Sequence, residues 1–180
     1  MKTNPRRGQP AFTLIELMAV VTIIVILAGI VIGGMGFVTE KQAKEKVKIQ
    51  IALISKALEE FKLDNGRYPE TDDTDDNSEL IFDALYYEGA SDLKKEKKIY
   101  IGELDPQNNK QGWTSGVASK ETKIVDPWGK NFRYRTAVNA NDTQNISSQN
   151  PDFDLWSAGK DGKTNADPSH KDCRDDIRNF

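Results

Sequence analysis

The chain has 180 residues, and its 25 Lys and Arg against 28 Asp and Glu give a formal net charge of -3. This balance argues against nucleic-acid binding, which relies on a concentrated excess of basic side chains. A single cysteine and a single histidine exclude an internal disulfide, a cysteine-based zinc cluster and a histidine-paired metal site. The length allows one domain with an appendage rather than two full cores.

The N-terminus combines a basic leader with a long apolar run. Residues 1–11 contain three basic side chains and two prolines, which prevent a regular helix. From Phe12 about 27 residues follow in which Glu16 is the only charge, enough to span a hydrocarbon core of roughly 30 Å. Because the positive charges precede this run, the N-terminus is predicted to be cytoplasmic. The polar remainder of the chain is then predicted to lie on the opposite side of the membrane. An ordinary soluble cytoplasmic protein is therefore excluded.

Glu16 is an unusual residue for a membrane helix. A carboxylate near the bilayer centre costs about 2.5–3.5 kcal/mol on insertion scales, and the helix offers no partner because no Lys or Arg lies within four residues. If the leader is cut between Ala11 and Phe12, the free amine of Phe12 on an adjacent copy would supply the counter-charge. Alternatively, Glu16 lies close enough to the interface to stay hydrated. The residues alone leave both interpretations open.

The N-terminal sequence resembles that of type IV pilins and type II secretion pseudopilins, in which a basic leader and a small residue precede FTLIE and an apolar helix. The resemblance implies that a prepilin peptidase cuts Ala11–Phe12 and methylates the amine of Phe12. It also implies that Glu16 engages the amine of an adjacent subunit. The family usually has Gly before the cut, where this chain has Ala11. Two other interpretations are an uncleaved signal anchor and a secretory signal peptide. The apolar run is too long for a secretory signal peptide.

The helical pattern continues beyond the apolar run. Asn65–Gly66, with Pro69 just beyond, predicts the end of the helix. Spacings of three and four residues place an apolar stripe on its outer half, made of Val47, Ile51, Ile54, Leu58 and Phe61. We therefore expect a lollipop shape, with a small globule packed on one side of the outer half of the helix.

These patterns, together with the cleavage and filament role that the resemblance implies, predict four segments along the chain. They are a cleaved leader at 1–11, an apolar transmembrane or filament-core helix at 12–38, its amphipathic continuation at 39–66 and a periplasmic globular domain at 67–180. The overall class is α+β, with one long helix on a small antiparallel sheet.

Within the globular segment, several stretches predict local structure. The acidic run 70–79 predicts a solvated loop, and residues 79–87 predict a short helix with Leu80, Ile81, Ala84 and Leu85 facing inward. Residues 98–104 form a possible strand, and 105–124 a long loop. The turn chemistry of 126–129 precedes an alternating, half-buried strand over 132–135, and 151–159 supplies a second antiparallel strand.

A second set of motifs resembles the major pseudopilin of type II secretion systems. The set comprises NGRYP at 65–69, DPWG at 126–129 before an aromatic strand, and FDLWSAGKDG from 153 running to DDI at 175–177. Residues 70–123 are not well covered, which indicates an insertion on the outer surface. The resemblance implies a type IV pilin-like fold and a non-enzymatic filament subunit that polymerises through its N-terminal helix and pushes exported proteins across the outer membrane.

The same resemblance implies partners and a location. The partners are further copies of the chain, minor pseudopilins, the inner-membrane assembly platform and the prepilin peptidase, with an ATPase elsewhere in the apparatus driving assembly. The subunit would wait in the inner membrane as a single-pass protein and then enter the periplasmic pseudopilus. Two alternatives are a type IV pilin or minor pseudopilin, acting in adhesion, motility or DNA uptake, and a membrane-tethered periplasmic module that binds a ligand through residues 70–123.

The C-terminal loop is strongly acidic. Five aspartates fall within 16 positions, namely Asp161, Asp167, Asp172, Asp175 and Asp176. On the residues alone, a solvated loop and a Ca²⁺ site are both open, since Ca²⁺ takes six to eight oxygen ligands. The resemblance implies a Ca²⁺ site made by Asp161, Asp175 and Asp176 with backbone carbonyls near Ala158 and Lys163. Because this loop is longer than the family's, Asp167 or Asp172 could substitute, while Cys173 and His170 are assigned no role.

Overall fold

The computed structural model describes residues 12–72, 74–87, 98–116, 119, 121–139, 141–165 and 167–180. Two α-helices and five short strands form the regular elements: α1 Leu14–Asn65, α2 Ser78–Phe82, β1 Thr114–Ser115, β2 Lys123–Ile124, β3 Arg133–Thr136, β4 Phe153–Ser157 and β5 Ile177–Arg178. The predicted α+β class is confirmed. The chain divides into two compact units, with the boundary between Lys41 and Gln42.

In the first unit, α1 is apolar on all sides. Among the described residues it is the one helix long and apolar enough to cross a membrane. Its large side chains from Leu14 to Ile32 are exposed in the single chain. An apolar surface of this extent is not stable in water and indicates contact with lipid or with another protein.

In the second unit, the predicted stripe of α1 forms one side of the core. Val47, Ile54 and Leu58 are fully buried, and Phe61 packs its ring against Tyr100 with the ring centroids 5.3 Å apart. Each buried aliphatic side chain contributes about 1.5–3 kcal/mol relative to exposure. The other side of this core comes from Phe82, Leu85, Leu104, Ile124, Phe132, Tyr134 and Leu155.

The C-terminal end of α1 is the one that the sequence predicted. The helix ends at Asn65, and Gly66 follows with a φ of +79°, a left-handed conformation that glycine adopts without steric cost. The Gly66 N–H donates to the Lys62 carbonyl at 2.7 Å. Tyr68 then folds back onto the helix, where burial, together with its hydrogen bond to the Glu59 carboxylate, raises the pKa of its phenol to about 12.

The predicted pair of antiparallel strands is confirmed as part of a three-stranded sheet in the order β3-β4-β5. Tyr134 pairs with Leu155, and Trp156 pairs with Arg178. The expectation that β3 is half-buried is wrong, because Arg135 is 6% exposed. Its Nε donates to the Asp154 carboxylate at 2.8 Å, so that a buried ion pair covers the second face of the sheet.

The predicted short helix over residues 79–87 is present, but its geometry differs from the expectation. It is α-helical over Ser78–Phe82 and then widens into a π-helical turn over Asp83–Tyr87. Ile81 and Leu85 are buried as predicted and Phe82 joins them, whereas Leu80 and Ala84 are half-buried. The wider π turn changes the angular spacing along the helix, which shifts the buried face away from a regular 3.6-residue pattern.

Two other predictions for the middle of the chain are wrong. Residues 98–104 do not form a strand; instead Gly102–Leu104 makes a single 3₁₀ turn, whose spacing lets Ile101 and Leu104 enter the core together. Residues 105–124 are not one loop, because β1 and β2 pair as an antiparallel ribbon. Each of these strands has two residues, too few to leave a periodic sequence signal.

The acidic segment 70–79 is anchored rather than simply solvated. Asn77 is fully buried, and its side-chain amide donates to the Tyr134 carbonyl at 2.8 Å. Asp76 pairs with Lys123 at 3.2 Å. The prediction of a solvated loop holds for Glu70, Asp72 and Thr74, which are exposed, but not for Asn77, whose partner lies 57 residues away in the chain.

Candidate functional site

The first turn of α1 carries the predicted assembly residue. The Glu16 Oε2 accepts hydrogen bonds from the Thr13 backbone N–H at 2.9 Å and from the Thr13 hydroxyl at 2.8 Å. In return, the Glu16 N–H donates to the Thr13 Oγ1 at 3.3 Å. This reciprocal arrangement is a capping box, which satisfies N–H groups that a helix start otherwise leaves without partners.

The expectation that Glu16 has no partner in its own helix is therefore wrong. The sequence did contain the signal, since Thr and Glu three residues apart before an apolar run form the capping-box motif. The partner of Glu16 in this motif is a neutral threonine, not a basic residue. Glu16 remains exposed in the single chain, and the Phe12 residue, whose amine would be freed by the predicted cleavage, is 85% exposed. Ala11, on the other side of the predicted cleavage point, lies outside the described residues.

The C-terminal loop begins with a tight turn that packs against its own end. Gly159 and Gly162 have φ values of +64° and +70°. A Cβ on Gly159 would collide with the carboxylate and the backbone carbonyl of Asp175. The Asp161 N–H donates to the Asp175 Oδ2 at 3.3 Å. The fold thus brings together two of the predicted ligand residues, which are 14 positions apart in the chain.

The side chain of Asp176, the third predicted ligand, is fully buried, and only one of its two oxygens has a hydrogen-bond partner. Its Oδ2 accepts from the Thr164 hydroxyl and from the Arg178 guanidinium, each at 2.8 Å. Its Oδ1 is buried without a hydrogen-bond partner. A buried carboxylate oxygen left this way is costly and fits a position where a cation is bound. Across the described part of the chain, no three His, Cys, Asp or Glu side chains are grouped as a metal site, so the structure does not bring all three predicted carboxylate ligands together.

The rest of this loop is held by His170 and Cys173, to which the sequence gave no role, and by Asp167, a possible substitute ligand. His170 caps the 3₁₀ turn Lys171–Cys173 by accepting from the Asp172 N–H at 3.3 Å. The buried Cys173 Sγ accepts from the Asn165 N–H at 3.2 Å. Asp167 accepts from the Ser169 N–H at 2.9 Å. The Asp167 carboxylate therefore has a local partner, whereas the hydrogen bond of Asp172 with His170 is made by its backbone N–H. A turn motif with so few residues has no periodicity that could reveal it.

The base of the loop is tied to the predicted 126–129 turn. Asp126 is buried, and its Oδ1 accepts from the N–H groups of Trp128 at 3.0 Å and Lys130 at 2.9 Å. Burial raises the pKa of the Asp126 carboxyl. The Ser157 hydroxyl donates to the Asp126 Oδ2 at 2.5 Å and accepts from the Gly159 N–H at 3.1 Å. The sequence predicted the turn at 126–129. It did not predict the hydrogen bond from Ser157 to Asp126, because these two residues are 31 positions apart.

Comparison with known proteins identifies the family. The family model described as prokaryotic N-terminal methylation motif matches residues 6–32. The model described as type II secretion system protein G matches residues 37–78 and 96–176, more than half of the chain. The chain belongs to the type II secretion system protein G family.

Individual proteins similar to this protein G family member are themselves named type II secretion system core protein G. The type II secretion system core protein G of Pseudomonas aeruginosa is 33% identical over 159 residues, which cover 88% of each chain. That of Escherichia coli strain K12 is 29% identical over 178 residues, 99% of this chain and 93% of the relative. That of Vibrio cholerae is 31% identical over 128 residues, 71% of each chain. No solved structure matches.

The family match narrows the predicted insertion. The expected stretch was 70–123, whereas the two matched segments leave only 79–95 unmatched between them. This interval includes the fully buried side chains Ile81, Phe82 and Leu85. The part of it that the structure describes therefore supplies core residues, and is not a surface addition.

Proposed function

We propose that this chain is the major structural subunit of a type II secretion pseudopilus, a filament that pushes exported proteins across the outer membrane. The proposal rests on the presence of two features in the same chain. A methylation motif at 6–32 opens onto an apolar helix, and most of the remainder matches protein G. The role is structural and not catalytic.

Assembly in this proposal depends on an exchange at the first turn of α1. In the single chain the Glu16 carboxylate is held by Thr13, which keeps it in a defined position at the start of the helix. In the filament, the cationic amine of Phe12 from an adjacent copy pairs with this carboxylate. In a low-dielectric environment such a pair is far stronger than in water, and it fixes the axial offset between neighbouring helices.

The location and partners follow from the same proposal. The subunit is inserted in the inner membrane with its leader in the cytoplasm and residues 67–180 in the periplasm. A prepilin peptidase removes residues 1–11, and minor pseudopilins and an inner-membrane platform take part in assembly. The apolar surface of α1, exposed in the single chain, is covered first by lipid and then by other helices.

Mass spectrometry of the N-terminus, on protein purified from its native membrane, tests the proposed processing. We expect a chain that has lost residues 1–11 and carries one methyl group on the amine of Phe12. Ala11→Gly, which restores the residue usual in the family, is the control and should be processed at least as completely. A mature protein that still begins at Met1 in cells that secrete normally would contradict the proposal.

We also propose that the C-terminal loop binds Ca²⁺. Asp161, Asp175 and Asp176 would supply carboxylate oxygens, although these three side chains are not grouped around one point in the described structure and would have to draw together around the cation. The carbonyls of Ala158 and Lys163 would complete the set. The support is the contact of Asp161 with Asp175 and the buried, unpartnered Oδ1 of Asp176. A bound Ca²⁺ would neutralise carboxylates that otherwise repel one another in a loop with little apolar content.

Removal of calcium is the test of this site. At a free Ca²⁺ concentration one hundred times the dissociation constant, binding stabilises the fold by about 2.7 kcal/mol, so EGTA is expected to lower the melting temperature by roughly 5–10 °C. Asp175→Asn should abolish this difference, whereas the exposed Asp142→Asn should preserve it. Superimposable melts of the wild-type chain with calcium and with EGTA would contradict the site.

A further inference from the structure

The 126–130 turn contacts the first part of the C-terminal loop at two points. The first point is a chain of hydrogen bonds in which the Gly159 N–H donates to Ser157 and the Ser157 hydroxyl donates to Asp126. Asp126 and Ser157 are 1% and 0% exposed, so water does not compete for these bonds. Asp126 itself is fixed by the N–H groups of its own turn.

The second point of contact lies at the other end of the same segment. A Cβ placed on Gly162 would lie 2.9 Å from the Cε of Lys130, which shows that the aliphatic stem of Lys130 packs directly on Gly162. The segment 158–162 is therefore held at its start by Ser157 and at its end by Lys130. Both contacts originate in one five-residue turn.

The position of this segment decides the geometry around Asp175. Gly159 lies so close to the Asp175 carboxylate that only glycine fits there, and the Asp161 N–H donates to the same carboxylate. The position of the segment therefore sets both contacts with Asp175. The segment also contains Asp161 and the Ala158 carbonyl, two of the predicted ligands.

We infer that Asp126, Ser157 and Lys130 are positioning residues that hold segment 158–162 in the conformation that binds Ca²⁺, an inference that rests on the calcium site proposed above. They do not touch the cation themselves. They act through the backbone at Gly159 and Gly162, so that the loop is preorganised and less ordering is needed when the cation binds.

The test compares Ser157→Ala with Ser78→Ala in the full chain in detergent micelles. Ser78 is an equally buried serine whose hydroxyl donates to the Ile124 carbonyl and accepts from the Ile124 N–H, remote in sequence from the loop. Calcium affinity is measured by titration calorimetry, and hydrogen exchange of the Gly159 amide is measured without calcium. We expect Ser157→Ala to raise the calcium dissociation constant at least tenfold and to speed exchange at Gly159. Ser78→Ala should change neither, although it also removes a buried hydroxyl.

Lys130 provides a second comparison that does not disturb the core. Lys130→Met keeps most of the aliphatic stem and removes the charge, whereas Lys130→Ala removes both. We expect calcium binding to be about threefold weaker in Lys130→Ala than in Lys130→Met. This pair keeps the inference open to disproof even if Ser157→Ala fails to fold.

The outcomes separate the two proposals. If the wild-type chain binds no calcium, the calcium site itself is wrong and the inference falls with it. If the wild-type chain binds calcium and Ser157→Ala binds it equally well, or if Lys130→Ala and Lys130→Met do not differ, the positioning role is wrong while the calcium site stands.

Discussion

Glu16→Gln is expected to abolish filament assembly while leaving the subunit folded and inserted in the membrane. Gln can still accept the hydrogen bonds of Thr13, because a capping box works with Glu or Gln. It cannot pair with a cationic amine. Loss of one member of a buried ion pair costs about 3–5 kcal/mol at each contact, and a filament repeats that loss at every subunit. Filaments sheared from cells and quantified by immunoblot should fall below the detection limit.

The control for this prediction is an acid on the same helix with a different role. Glu45 is exposed and pairs with Lys48 at 2.9 Å on the helix surface, and such pairs contribute about 0–1 kcal/mol. Glu45→Gln should assemble normally. Wild-type filament yields from Glu16→Gln would show that the carboxylate charge is not needed, which would favour the interpretation that Glu16 simply stays hydrated.

Asp154→Ala is expected to lower the free energy of unfolding by about 3–5 kcal/mol, because it removes the buried carboxylate that pairs with Arg135 and, among the described residues, leaves the guanidinium only the partly exposed Asp75 carboxylate at 3.6 Å as an ion-pair partner. The carboxylate is fully buried and the Arg135 side chain is 7% exposed. Asp154 also accepts from the N–H groups of Gln149 at 2.9 Å and Asn150 at 2.8 Å, so its loss frees the preceding loop as well. Urea denaturation followed by tryptophan fluorescence measures the change. The loss should be easy to detect, because the free energy of unfolding of a typical domain is only about 5–15 kcal/mol.

Asp152→Ala is the matched control for the buried pair. Asp152 lies two residues earlier and pairs with Lys62 at 3.0 Å, but both side chains are at least 40% exposed. Surface pairs of this kind contribute about 0–1 kcal/mol. Equal destabilisation by Asp152→Ala and Asp154→Ala would mean that burial does not set the importance of the Arg135–Asp154 pair.

The features that the sequence predicted correctly depend on residues that are close together in the chain. The apolar stripe of α1 repeats every three or four residues, and the helix ends where Asn65 and Gly66 meet. Likewise β4 follows from a short run of apolar and aromatic residues between turns. At the N-terminus, the leader, the small residue, Glu16 and the apolar run coincide within a stretch that a single motif can describe.

The features that were missed depend on partners distant in the chain. The burial of Arg135 follows from Asp154 on the neighbouring strand, and that of Asn77 from the Tyr134 carbonyl, 57 residues away. Asp126 and Ser157 are 31 residues apart. Neither hydropathy nor spacing records such pairings. The capping box of Thr13 and Glu16 is the exception, because its signal is local. It was missed because only Lys and Arg were considered as partners of Glu16, whereas the partner is Thr13.

The central claim is that Glu16 pairs with the Phe12 amine of a neighbouring subunit. A filament structure determined by electron cryomicroscopy, at a resolution that shows carboxylates, measures this pair directly. We expect a carboxylate oxygen of Glu16 within about 4 Å of the Phe12 nitrogen of an adjacent copy, the usual limit for an ion pair. A Glu16 side chain that faces lipid or water, with no cation beside it, would contradict the account.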